Sequence, residues 1–150
     1  MSDVPLYRWV PRYSFRELAQ FAEAACALTV AWLAIKVLPF SRLMKTTHVG
    51  RVQSKQSQAQ QAALGSDMRR AIKRAARRLP WSIVCFPEAM AAHWMLRRRG
   101  ADSRLHYGLR SSDEKLSAHV WVTLGGEIVV GEEHDNPHRC VATFPQMPSA

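Results

Sequence analysis

Leu116-Ser117-Ala118-His119-Val120-Trp121-Val122-Thr123-Leu124-Gly125-Gly126-Glu127-Ile128-Val129-Val130 is the stretch that decides the fold. Ala118, Val120, Val122 and Leu124 fall on one face of an extended chain, with polar and aromatic residues on the other. That period of two is the signature of a half-buried strand. Gly125-Gly126 is a two-residue hairpin signal, and residues 127–130 form the returning strand. Residues 104–109 are a further strand candidate, and the periodic segments upstream read as helices. Helices followed by an antiparallel sheet predict an α+β domain.

The hairpin also makes a prediction about chemistry. If Leu124 opposes Glu127 and each step moves both strands by one, His119 faces Glu132. Side chains directly opposed in this way have Cβ atoms roughly 5 Å apart. A carboxylate there would accept a hydrogen bond from one imidazole nitrogen and leave the other free to take a proton. Gly131 can introduce a bulge that slips the register, so Asp135 is the second choice after Glu132, with Glu133 also in range.

The matching nucleophile lies upstream, in Trp81-Ser82-Ile83-Val84-Cys85-Phe86-Pro87-Glu88. Proline suits a first helical turn, so a helix is expected from near Pro87 to Gly100, with Cys85 within a turn of its start. The positive end of a helix dipole favours thiolate over thiol. Cys85 as nucleophile, His119 as base and Glu132 or Asp135 as the group orienting the base follow triad logic. A lone cysteine is more often a small buried hydrophobe, and Cys26, amid apolar helical residues, is read that way. Cys140 has no base assigned to it. His134, His138, Cys140 and Asp135 are close in sequence, but neither a Cys-x-x-Cys knuckle nor a His-Glu-x-x-His helix is present. No metal, cofactor or phosphate-cradling loop is therefore expected.

Nearer the N-terminus, Ser14-Phe15-Arg16-Glu17 matches a capping box. Leu18, Phe21, Ala25, Leu28, Trp32 and Ile35 then recur at helical spacing until Pro39. The apolar run at residues 24–35 is shorter than the roughly 20 residues a bilayer span needs, so a buried helix is expected and membrane contact is not. Residues 53–61 are polar and low in complexity, readable as a linker or as a helical turn. Asp67 is the expected N-cap of a helix running to Leu79, with Met68, Ile72, Ala75, Ala76 and Leu79 on its apolar face. One domain is expected over residues 1–150, with a helical portion at 1–65 and the catalytic core at 66–135. Three cysteines in 150 residues and no signal-peptide pattern point to a reducing, cytoplasmic setting.

The net charge is +9, and much of it sits at Arg69, Arg70, Lys73, Arg74, Arg77 and Arg78, then at Arg97, Arg98 and Arg99. A solvated helix face accounts for such a run; an acidic partner is the functional alternative. Nucleic acid is not expected, since no aromatic-rich strand or DNA-reading motif accompanies the charge.

Taken in order, several motifs resemble a known family. They are Leu79-Pro80-Trp81-Ser82-Ile83-Val84-Cys85-Phe86-Pro87-Glu88-Ala89-Met90, Leu96-Arg97-Arg98-Arg99-Gly100, Tyr107-Gly108-Leu109-Arg110, Ala118-His119-Val120-Trp121-Val122 and Gly126-Glu127-Ile128-Val129-Val130-Gly131. With Val37-Leu38-Pro39-Phe40-Ser41-Arg42-Leu43 upstream, the set is similar to the B-type leader peptidases of lasso-peptide biosynthesis, over residues 15–131. These are transglutaminase-like, papain-like cysteine peptidases. The resemblance implies a helix-plus-antiparallel-sheet core, with Cys85 as nucleophile and His119 as general base. It implies a ribosomally made precursor peptide as substrate, and as partners an ATP-dependent cyclase and a leader-recognition protein. The N-terminal half reads as long helices and not as a winged sheet, so the recognition protein is expected to be separate, with residues 69–78 as a docking surface.

The chain departs from the family pattern at Phe86, Glu88 and Val120, and no glutamine precedes Cys85 to complete a papain-style oxyanion hole. The alternative to a peptidase is a non-catalytic basic adaptor for an acidic peptide or nucleic acid.

Overall fold

A computed structural model describes residues 14–48, 52, 56–112, 115–131 and 138–145. The elements in chain order are α1 (Phe15–Val37), α2 (Phe40–Lys45), a 3-10 turn (Thr46–His48), α3 (Gln58–Ala76) and α4 (Cys85–Arg98). The strands β1 (Arg104–Ser112), β2 (Lys115–Leu124), β3 (Glu127–Val130) and β4 (Arg139–Phe144) follow. They form one antiparallel sheet in the order β3-β2-β1-β4, so the α+β expectation holds.

The helix α4 is the centre of the molecule. Ala89, Met90, Ala91, Ala92, Met95 and Leu96 are all buried, covering most of its circumference. A helix apolar all round has to be enclosed, and α1, α3 and the sheet all pack against α4. The sheet's inner face supplies Leu105, Val120, Val122, Leu124, Val129 and Val130. Its outer face carries His106, His119, Trp121 and Thr123, each half-buried.

The capping box at Ser14 forms as read, with the Glu17 carboxylate accepting from the Ser14 backbone N–H at 2.9 Å. The buried-helix reading of α1 needs correction. Only Ala24, Leu28 and Ala31 are buried. Leu18, Cys26, Val30, Leu33 and Val37 are exposed, so Cys26 is not a core residue. The helix is 23 residues with mean hydropathy 1.6, long and apolar enough to cross a bilayer by length and composition. The next helix also begins earlier than expected. Ser57 is the N-cap of α3 and Gln60 completes its capping box, so the polar stretch ends in helix and Asp67 sits mid-helix. Asp67 instead pairs with Arg16 of α1 at 3.2 Å. Strand β4 was not anticipated.

One buried polar residue ties α4 to its surroundings. The His93 Nε2–H donates to the Thr47 carbonyl at 3.0 Å, because a carbonyl only accepts. Nδ1 then accepts from the Ser103 hydroxyl, also at 3.0 Å. Both partners are fully buried, as is His93. Burial depresses the imidazole to about 4 from 6.5, although the Thr47 hydrogen bond opposes it. The unfolded chain therefore takes up a proton in this range that the folded chain resists. Stability should be full above about pH 6.5 and fall by roughly 3 kcal/mol as pH drops towards 4. Urea midpoints across this range should show that slope in the native chain and lose it in His93→Gln. An identical acid slope in both would remove His93 as its source.

Candidate active site

Helix α4 starts at Cys85, two residues before Pro87. Pro87 occupies the first turn, where its missing N–H costs nothing. The N-cap is Val84, extended at φ −98° and ψ 176°, and it makes no side-chain capping bond. The backbone N–H groups of Cys85 and Phe86 therefore stand at an end with no capping side chain, pointing out of the helix. Such amides are suited to an anion or a developing oxyanion.

Cys85 and His119 line a single cavity of about 310 Å³ with Arg69, Lys73, Glu88, Val129, Val130 and Gly131. Cys85 is half-buried and is not in a disulfide. His119 lines the same cavity from β2.

The His119 ring is held on three sides. Its Nε2 lies 2.8 Å from the Gly131 carbonyl, so Nε2 carries the proton and Nδ1 keeps its lone pair. Trp121 stacks against it at 6.0 Å between centroids and 18° between planes. The His138 ring lies 5.4 Å away, and its Nε2 is 2.9 Å from the Ser117 hydroxyl oxygen.

The Gly131 contact depends on a correction to the hairpin register. Leu124 pairs with Glu127 and Thr123 with Ile128 as expected, but Val122 then pairs with Val130. Val129 is the extra residue of a β-bulge, which lets Val129 and Val130 both turn into the core. The unbroken ladder that put Glu132 opposite His119 therefore ends at Thr123. Glu132, Glu133 and Asp135 lie outside the described residues. Among the described residues, the hydrogen-bond acceptor at Nε2 is a backbone carbonyl.

Sequence reasoning missed the cavity's charged wall. Glu88 lies three residues after Cys85, so the two share one helix face. Its side chain is only 12% exposed, and a carboxylate so placed opposes a thiolate nearby. Lys73 of α3 answers it with an ion pair at 2.7 Å. Arg69 donates to the Val129 carbonyl at 2.9 Å and to that of Ile128, fastening α3 to the bulged strand. The i+3 spacing of Glu88 was visible in the sequence; its partner on another helix was not.

Cys140 is exposed on β4, with Sγ 3.9 Å from His106 Nδ1 and 3.4 Å from the Ala142 carbonyl oxygen. His106 in turn meets the Thr123 and Thr143 hydroxyls at 2.8 and 3.1 Å. Burial, then Arg104, holds its imidazole below the ordinary range. Among the described residues no three His, Cys, Asp or Glu side chains are arranged to hold a metal. His134 and Asp135 lie outside them.

Gly131 has φ +82°, and a Cβ there would sit 2.6 Å from the Val120 carbonyl oxygen and Trp121 Cβ. Gly131→Ala should cost at least about 2 kcal/mol, roughly 4–8 °C in Tm. Long-range 1H–15N spectra should show His119 as the Nε2–H tautomer in the native chain. A native Nδ1–H signal would sink the Gly131 contact.

Comparison with known proteins agrees with this architecture. A family model described as the transglutaminase-like superfamily matches residues 15–141. Neither the curated proteins nor the solved structures include a match. The match runs from the start of α1 into β4 and takes in both the helix that opens on Cys85 and the strand that carries His119. The chain thus belongs to the transglutaminase-like superfamily.

Proposed function

We propose that this chain is a cysteine peptidase that removes the leader from a ribosomally made lasso precursor peptide. The observation that carries the reading is the shared cavity, with Cys85 at the first residue of α4 and His119 on its wall. In this mechanism the Cys85 thiol gives its proton to His119 Nδ1, and the sulfur attacks the carbonyl carbon of the scissile amide. The oxyanion forms against the Cys85 and Phe86 N–H groups. Collapse of the tetrahedral intermediate breaks the C–N bond, and His119 protonates the departing amine. The leader remains as a thioester on Cys85. Water, deprotonated by His119, releases it as a carboxylate and restores the thiol. Throughout, Nε2–H stays on the Gly131 carbonyl and fixes the ring.

The product chemistry defines the partners. The freed N-terminal amine of the core peptide is the nucleophile that an ATP-dependent cyclase needs for macrolactam closure. A separate leader-recognition protein delivers the precursor. A thiol enzyme with three unpaired cysteines among its described residues suits the reducing cytoplasm. Glu132 and Asp135 are the two candidates for a carboxylate third member of the triad.

Co-expression with the precursor, cyclase and recognition protein tests the reading by peptide mass. Cys85→Ala and His119→Ala should each abolish leader removal while the protein stays folded, a loss of at least about a thousandfold. Alanine at Glu132 and at Asp135 separates those two positions. Unchanged processing in Cys85→Ala would assign the cut to another protein and leave this chain as a basic adaptor.

A further inference from the structure

Beside the thiol cavity, α3 presents a second concavity of about 480 Å³, lined by Arg69, Arg70, Lys73, Arg74, Arg77 and Arg78. Every lining residue is a cation. Arg69 and Lys73 line both concavities, so the cationic surface adjoins the cavity that Cys85 and His119 line. Carboxylates meet this surface at Lys73, paired with Glu88, and at Arg70, paired with Asp67, with Glu17 near Arg70 and Arg74. At the far end Arg77 and Arg78 are exposed, and the Arg78 guanidinium lies 5.5 Å from the centre of the Phe21 ring.

A solvated helix face would need no such continuity with the cavity. From this joined geometry, and resting on the peptidase reading, we propose that the six-cation surface is a substrate track. The peptide presented to Cys85 carries carboxylates close to the scissile bond, and these seat on Arg77 and Arg78. Helical rise of about 1.5 Å per residue puts Arg77 roughly 6 Å beyond Lys73. An extended peptide advances about 3.3 Å per residue, so the acidic positions begin roughly two residues from the cavity. The whole stripe, from Arg69 to Arg78, accommodates about four peptide residues.

The occupant is a peptide and not a nucleic acid. None of the six lining residues is aromatic, so bases find no stacking platform. Glu88 stands inside the cavity that the track enters, where a phosphate backbone would be repelled. Carboxylates spaced along an extended peptide can use the cations and leave the scissile amide for the cavity.

The test uses the full chain with Cys85→Ala and fluorescein-labelled peptides of about ten residues. One peptide carries a central Asp-Glu-Asp-Glu; its match carries Asn-Gln-Asn-Gln. Anisotropy in low salt should show the acidic peptide binding at least about tenfold tighter, with the difference shrinking as salt rises. Arg77→Glu with Arg78→Glu should remove that preference and instead favour a Lys-Arg-Lys-Arg peptide. Arg42→Glu with Lys45→Glu, on α2, subtracts the same charge elsewhere and should leave the preference intact. Equal losses from the two double variants would mean undirected charge attraction and overturn the track. So would an oligonucleotide of equal charge that binds more tightly than the acidic peptide.

In the reconstituted cleavage reaction with Cys85 present, Arg77→Glu with Arg78→Glu should raise KM about tenfold and leave kcat unchanged. Cys85-dependent cleavage with KM unmoved would overturn the track and leave the peptidase reading standing. Track-dependent binding of the acidic peptide without Cys85-dependent cleavage would do the reverse.

Discussion

The enclosure of α4 is the constraint on which the rest depends. A helix with buried residues on nearly every side has no solvent face to give up, so its neighbours have to be placed around it. Its C-terminal half is pinned by Arg99, which grips the Glu23 carboxylate of α1 at 3.0 and 2.5 Å. That grip, more than the nearby Coulomb charges, holds Glu23 below the usual carboxylate range. Midway, His93 ties the helix to Thr47 before it and Ser103 after it. Trp94 adds a hydrogen bond from Nε1 to the Thr46 hydroxyl at 3.0 Å. With its body fixed by these contacts, the N-terminus of α4 has little freedom left. Cys85 is held in the cavity lining by interactions made about two to four turns away.

The opposite wall is built by a different device. The bulge at Val129 buries two consecutive valines, and the chain must then turn to leave the sheet. It does so at Gly131, in a backbone conformation open to glycine, and the turn directs a carbonyl at His119. Packing on the inner face and imidazole orientation on the outer face are thus one event. Trp121 links them again, with its backbone close to Gly131 and its ring between His119 and His106.

Much of this was legible because it was local. Ser14 with Glu17 and Gly125 with Gly126 each settle a boundary within four residues, and both behave as read. Alternation from Val120 to Leu124 located the inner face for the same reason. The failures share the opposite character. Ser57 and Gln60 form a capping box as clear as that at Ser14, but the glutamine-rich run around it reads equally well as a linker. What stabilises that first turn lies elsewhere, in packing of α3 on α1, α4 and β3. The bulge at Val129 is decided by core packing against the helices, which no two-strand register can express. Likewise β4 is short and largely exposed, and only the paired edge of β1 makes it a strand.

The candidate site follows the same division. Cys85 and His119 stood out because each has a local setting suited to thiol chemistry. Glu88 and Lys73 did not, because their meaning lies in a contact between two helices. That pair changes the electrostatics of the cavity. A carboxylate one turn from the nucleophile is tolerable only beside a cation, and the cation that answers it belongs to a helix already rich in positive charge. The basic stripe of α3 and the acidic residue on α4 are therefore parts of a single arrangement. Neutralising Glu88 uses Lys73, while Arg77 and Arg78 lie exposed at the far end of the same basic run.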